Sequence, residues 1–152
     1  MRCFCLSILC AAVMMLPACG GGSNNAINGN WTATLTNPDG STAFTFTATL
    51  TEGSSGSSSG TVNITNLSFS TSSSCFALGT TATGTLTASS TTSNVTSGAF
   101  QMTIQSGTAN TNGTNQLTLQ GTLSSNTITG TWTLTGTGSG CAGSGNFTMS
   151  NM

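Results

Sequence analysis

Charged side chains are what this sequence lacks most. Of its 152 residues, one is basic and two are acidic, and histidine and tyrosine are absent. The basic residue is Arg2 and the two carboxylates are Asp39 and Glu52. Nucleic acids and anionic lipid headgroups are bound through clusters of lysine and arginine. The composition therefore excludes nucleic acid as a partner and excludes membrane binding driven by charge.

The same shortage argues against catalysis. General acid–base catalysis needs a side chain that exchanges a proton near neutral pH, and nucleophilic catalysis needs an activating base. Asp39 and Glu52 fall in successive connections between predicted strands, so a meander places them at opposite ends, where they cannot flank one glycosidic bond. Metal sites need clustered histidine, cysteine or carboxylate ligands. We therefore expect no enzyme, no metal site and no cofactor.

Long hydrophobic runs are also missing, apart from one near the amino terminus. Arg2 is followed by 13 uncharged residues from Phe4 to Leu16, which is typical of a signal peptide. A helix that crosses a bilayer needs about 20 apolar residues, so this run is too short for a permanent span. The run leads into Leu16-Pro17-Ala18-Cys19, where a small residue directly precedes a cysteine. This site resembles the lipobox of bacterial lipoproteins.

The resemblance implies that the Cys19 thiol receives a diacylglycerol and that the chain is cut just before it. Residues 1–18 are then a signal peptide, and residues 19–27, rich in glycine, serine and asparagine, form a flexible tether. Residues 28–152 form a single β domain. We expect export and attachment to the bacterial cell envelope, at the outer membrane or cell surface rather than the inner membrane. An ordinary secretory signal with a chance cysteine is the alternative.

The cysteines leave one pair for a disulfide. Three of the six lie in the predicted leader, and Cys19 is taken by lipid, which leaves Cys75 and Cys141. Export beyond the cytoplasm permits a disulfide. Closing a loop of about 67 residues stabilises a fold by about 4 kcal/mol on the chain-entropy estimate. The sequence therefore predicts a Cys75–Cys141 bond.

From residue 28 onward, apolar and polar residues alternate with a period of two, which indicates half-buried strands. The chain has 32 threonines and 20 glycines, and both residue types disfavour helix, while threonine favours strands. We predict eight strands, at residues 29–36, 43–51, 61–70, 80–88, 95–106, 116–124, 127–135 and 141–150.

Two local features interrupt the alternation. Asn37-Pro38-Asp39-Gly40 predicts a tight hairpin turn, because proline presets the turn and glycine accepts a positive φ. In the third strand, Val62 and Ile64 have even numbers whereas Leu67 and Phe69 have odd ones. One extra residue near Asn66 must be absorbed, which predicts a β-bulge.

Eight strands with short connections fit either an up-and-down β-barrel or a two-sheet sandwich. Seven of the strands place a glycine two residues before a large apolar residue, and glycines in strands allow a sheet to bend and close. Open sheet edges are normally protected by lysine, proline or inward charges, and these strands have none. We therefore predict an all-β, eight-stranded antiparallel barrel, with the sandwich as the alternative.

A meander also predicts where the disulfide lies. Odd-numbered connections share one rim, yet the third and seventh lie far apart around the barrel. A disulfide needs Cα atoms within about 7 Å, so the connection at residues 71–79 must fold across the mouth. It would carry Phe76 and Leu78 inward as a plug. Both ends of the domain would lie at the opposite rim.

Gly29-Asn30-Trp31 in the first strand resembles the Gly-x-Trp that opens the barrels of lipocalins and related calycins. That resemblance implies a barrel that carries a small apolar ligand. The candidates for ligand lining or for core are the inward residues Trp31, Phe44, Phe46, Met102 and Trp132. We expect a lipid-anchored barrel with a structural or interaction role, in which these residues form a solid core. The alternative is a binding module for a small apolar ligand. A variant of the structural hypothesis treats the outward Thr-x-Thr runs as an array that faces ice or glycans.

Overall fold

The fold is a closed eight-stranded barrel. A computed structural model describes residues 27–53, 59–70, 75–76, 80–88, 97–106, 115–136 and 140–152. The strands are β1 (Gly29–Thr36), β2 (Thr42–Glu52), β3 (Ser59–Phe69), β4 (Thr81–Ala88), β5 (Ser97–Gln105), β6 (Gln116–Ser124), β7 (Thr127–Thr135) and β8 (Gly143–Asn151). Each pairs antiparallel with the next, and β8 closes the barrel onto β1. The barrel prediction is confirmed and the sandwich alternative is wrong.

The strand limits follow the predicted ones closely. β1, β6 and β7 have the predicted limits. β3 begins two residues early, at Ser59, because Ser59 and Gly60 pair with Thr87 and Leu86 of β4. The last strand begins at Gly143 rather than at Cys141, because Cys141 is held at the rim by a disulfide. The leader, Cys19 and residues 95–96 of the predicted fifth strand lie outside the described residues.

Both predicted interruptions of the alternation are confirmed. In the first turn, the Asn37 N–H donates to the Ser41 carbonyl oxygen at 2.8 Å, and Gly40 has φ +85°. Asn66 has φ +52°. Beside it, the two-residue step from Thr47 to Thr49 in β2 faces the three-residue step from Thr65 to Ser68 in β3. This is the extra residue of a β-bulge, which bends the strand that contains it.

The core is the inward face of all eight strands, and every buried residue in the described part of the chain is apolar. Ile27 also belongs to this core, with 1% of its surface exposed. Its carbonyl oxygen accepts a hydrogen bond of 2.8 Å from the indole Nε1–H of Trp31. Ile27, the last residue of the predicted tether, is thus packed against the barrel. Burying the apolar side chain of Ile27 stabilises the fold, and its carbonyl oxygen pairs with the buried indole donor of Trp31.

Glycine is required where β8 crosses close to β1. A Cβ at Gly145 would overlap the carbonyl oxygen of Thr36 and would lie 2.8 Å from Nε1 of Trp132. The indole ring of Trp132 therefore lies against β8, and its Nε1–H donates to the same Thr36 oxygen at 2.9 Å. Only a residue without a side chain leaves room for this hydrogen bond.

The two rims of the barrel differ in what they carry. The Met152 N–H donates to the Asn30 carbonyl oxygen at 2.8 Å, and the Asn151 N–H donates to the Asn126 carbonyl oxygen at 3.0 Å. The start of β1 and the end of β8 therefore lie at one rim, as predicted. The connections β1–β2, β3–β4, β5–β6 and β7–β8 lie at the other, which we call the disulfide rim.

Candidate functional site: the disulfide rim and the barrel interior

A disulfide ties two connections of the disulfide rim together. Cys75 and Cys141 are bonded, with Cα atoms 5.5 Å apart, so the predicted pairing and the shared rim are confirmed. The Asn115 side-chain Nδ2 donates to the Cys75 carbonyl oxygen at 2.9 Å, which joins the β5–β6 connection to the same point. Cys75 and Phe76 therefore lie across the mouth of the barrel.

Five aromatic side chains meet beneath this connection, and we call them the aromatic cluster: Phe44, Phe46, Phe69, Phe76 and Trp132. Phe76 stacks on Phe69 with ring centroids 4.5 Å apart and an interplanar angle of 0°. Its ring meets that of Phe44 edge to face at 6.3 Å. Such arrangements are favourable beyond the apolar area that they bury. The predicted plug is thus confirmed for Phe76, whereas Leu78 lies outside the described residues.

The cluster continues into the barrel. Phe44 contacts Trp132 edge to face at 5.8 Å, and Phe46 contacts Phe69 at 5.4 Å. Phe44 comes from β2, Phe69 from β3 and Trp132 from β7, so the rings bridge opposite walls of the barrel. The part of the interior next to the disulfide rim is therefore filled by the protein's own aromatic side chains.

The five predicted lining residues all face the interior, but they differ in how much of their surface is exposed. Trp31, Phe46 and Met102 have 0% of their surface exposed, and Trp132 has 2%. A side chain with no exposed surface has no water-sized space beside it. Phe44 alone is half-buried, because it lies at the disulfide rim. These burial values fit a packed core better than a cavity that surrounds these side chains.

The hydrogen-bonded ladder between β3 and β4 is short and ends next to the aromatic cluster. Their ladder runs from Ser59 opposite Thr87 to Val62 opposite Gly84 and then ends. Toward the disulfide rim, β3 continues to Phe69 and β4 begins at Thr81. The described residues of the two strands form no further pair there. The bulge at Asn66, which bends β3, lies just beyond the end of this ladder. We call this gap in the ladder the seam.

Most of the half-buried apolar residues lie at the seam and the rim beside it. They are Ile64, Leu67 and Phe69 of β3, Ala82 of β4, Phe76 of the connection, and Ala43 and Phe44 of β2. Apolar side chains packed on the other strands are buried. The seam is therefore where the core comes closest to solvent. The odd and even numbering around Asn66 predicted the bulge, but no sequence feature indicated that the β3–β4 ladder would end at Val62.

The two carboxylates lie at opposite rims, as predicted. Asp39 is in the β1–β2 turn at the disulfide rim, where its Oδ1 accepts hydrogen bonds from the Ser41 hydroxyl at 2.6 Å and the Ser41 N–H at 2.9 Å. These bonds favour the ionised form and hold the pKa of Asp39 below its ordinary value of 3.8. Glu52 ends β2, at the other rim. Within the described ranges no three potential ligands come together to hold a metal.

We expect Asp39→Asn to destabilise the turn at neutral pH but not in acid. A carboxyl whose folded pKa is lowered stabilises the fold above its unfolded pKa, and this stabilisation is lost as the pH falls through the folded pKa. The effect is small because Asp39 is fully exposed. Thermal unfolding of both proteins at about pH 7 and about pH 2 checks this, since the difference should be present only at the higher pH. A difference of the same size at both values would contradict the role assigned to the charge.

The outer wall is made of hydroxyl and amide side chains. Cross-strand pairing aligns five threonines on five neighbouring strands, in the order Thr45, Thr34, Thr148, Thr129 and Thr122. We call this line the threonine row. Threonine suits an exposed strand face, and the row follows the curve of the barrel. This curvature argues against the flat array that an ice surface would require.

The described residues include no helix long and apolar enough to cross a bilayer. Comparison of the chain with protein-family models, with curated proteins and with solved structures found no match.

Proposed function

We propose that this protein is a lipid-anchored barrel of the bacterial cell envelope, with a structural or interaction role and no catalytic activity. The leader ending at Cys19 supports attachment through lipid, in the outer membrane or at the cell surface. The tether would join the domain near the rim where β1 begins. The disulfide rim, at the other end, would then point away from the membrane.

The observation that carries a structural role is the packing of the barrel interior. Trp31, Phe46 and Met102 have no exposed surface, so these candidates for ligand lining serve as core. The outer wall carries threonine, serine, asparagine and glutamine, and its two carboxylates are at opposite rims. A surface without clusters of charge has little electrostatic attraction or repulsion toward its neighbours, which suits a protein that packs beside other envelope components.

The alternative function, binding a small apolar ligand inside the barrel, has less support. Ligand pockets of that kind bury most of the ligand in a preformed space. Native mass spectrometry of the protein purified from its own host separates the two functions. We expect the mass of the acylated chain alone, whereas one small molecule bound per chain would favour the binding module.

Replacing Cys19 by alanine should move the protein from the membrane fraction to the soluble fraction. The thiol is the proposed attachment point of the lipid, and the chain has no basic cluster that could hold it to lipid headgroups instead. Fractionation of the host, followed by mass spectrometry of the mature amino terminus, checks the result.

The matched control is Cys10→Ala, which changes a cysteine inside the leader and should leave the protein anchored. The anchoring proposal is wrong if the Cys19→Ala protein stays with the membrane, or if the mature wild-type protein begins at Cys19 without added lipid mass.

A further inference from the structure

Phe76 differs from every other member of the aromatic cluster because a connection carries it. Phe44, Phe46, Phe69 and Trp132 are fixed by strand pairing, whereas Phe76 lies in the β3–β4 connection beside Cys75. Its ring is half-buried and stacks on Phe69. Moving this ring requires no strand of the barrel to break.

Phe76 lies beside the part of the barrel wall where β3 and β4 are no longer hydrogen-bonded to each other. The β3–β4 ladder ends at Val62 opposite Gly84. Ile64, Leu67 and Ala82, which lie above that point, are only partly buried. A molecule that approached through the seam would meet apolar side chains first and the exposed face of the aromatic cluster next.

We infer that Phe76 is a built-in occupant of a binding site for one small, flat, apolar molecule. The site consists of the face of Phe69, the ring of Phe44 and the neighbouring residues of the seam. The ligand replaces the Phe76 ring in its stack and enters through the seam. This inference does not depend on the lipid anchor or on a preformed cavity.

The contacts of Phe76 define the chemistry of the ligand. A parallel stack at 4.5 Å on one side and an edge-to-face contact at 6.3 Å on the other favour a flat ring over a bulky aliphatic group. The described residues of the cluster and the seam carry no charge, so an ionised ligand would lose its hydration without gaining a partner. Aromatic hydrocarbons and neutral heteroaromatic rings are therefore the class that fits.

The test is binding of toluene to the Phe76→Ala variant of the exported protein. All variants are purified in one detergent, so that partition of toluene into micelles is the same for each. We expect saturable binding that shifts the NMR signal of the Trp132 indole N–H, because Trp132 contacts Phe44. The Trp31 indole N–H bonds to Ile27 near the opposite rim, so its signal should stay in place and also report that the variant is folded.

Wild-type protein is the first comparison. If the Phe76 ring fills the site at least about nine-tenths of the time, toluene should bind the wild-type protein at least about tenfold more weakly than it binds Phe76→Ala. Leu123→Ala, which opens space in β6 near the other rim, is the matched control and should not shift the Trp132 signal. Cyclohexane, which is similar in size but not flat, should bind Phe76→Ala more weakly than toluene.

Two results would overturn the inference. One is a folded Phe76→Ala protein whose Trp132 signal does not respond to toluene, and the other is equal toluene affinity in wild type and variant. If Phe76→Ala does not fold, Phe76→Leu replaces it, because leucine keeps apolar bulk without the flat ring, and the same two results apply to it.

Discussion

Replacing both Cys75 and Cys141 by alanine is expected to lower the free energy of unfolding by about 4 kcal/mol. The two residues are separated by 66 positions, so the bond restricts a large part of the unfolded chain. Urea unfolding followed by tryptophan fluorescence measures the change, and the midpoint should move to a lower urea concentration.

Reduction of the wild-type protein is the internal control for this result. Reduced wild type and the double alanine variant should unfold at nearly the same urea concentration, because both lack the same crosslink. A loss below about 1 kcal/mol would mean that the unfolded chain gains little freedom when the bond is removed.

Gly145→Ala should cost about 3 kcal/mol of folding free energy, although it adds only one methyl group. The new Cβ would overlap the Thr36 carbonyl oxygen, and forcing extra volume into a packed site costs about 1–3 kcal/mol. The same oxygen accepts the hydrogen bond from Trp132. Displacing it leaves a buried indole donor unpaired, which costs about 1–3 kcal/mol more. The sum is reduced by local relaxation.

Gly143→Ala provides the matched control on the same strand and the same side of β8. A Cβ at Gly143 would lie 3.2 Å from the Trp132 ring and touch no backbone atom, so we expect a loss below about 1 kcal/mol. Chemical denaturation of both variants checks the difference. Equal losses would show that the close approach of β8 to Thr36 is not the source of the requirement for glycine.

The sequence predicted the barrel because several independent patterns agreed. Period-two alternation located the strands, Asn37 to Gly40 defined the first hairpin, and the change of parity at Asn66 located the bulge. The lack of edge protection favoured closure, and two cysteines left after the leader gave one pairing. Each of these features is a property of a short segment or of the composition, so the sequence alone is enough to recognise it.

What the sequence did not predict depends on distances between strands. Asn115, which ties a third connection to Cys75, looks like any loop asparagine in the sequence. Ile27 looks like the end of the tether, and its burial follows from the space that the rim leaves beside Trp31. The seam begins where the β3–β4 ladder ends, at Val62 opposite Gly84, and that end point is a property of the pairing between two strands. Such partners are set by curvature and register, which no short sequence window contains.

The pairing of β1 with β8 has a consequence for the order in which the chain can fold. Thr32 and Thr34 of β1 lie opposite Ser150 and Thr148 of β8. The barrel therefore closes by pairing its first strand in the sequence with its last. On the export route proposed above, the chain emerges amino terminus first, and until residues 143–151 follow, β1 and β7 each have an unpaired edge that no charged side chain protects. During that interval the incomplete barrel is exposed to pairing with a neighbouring chain.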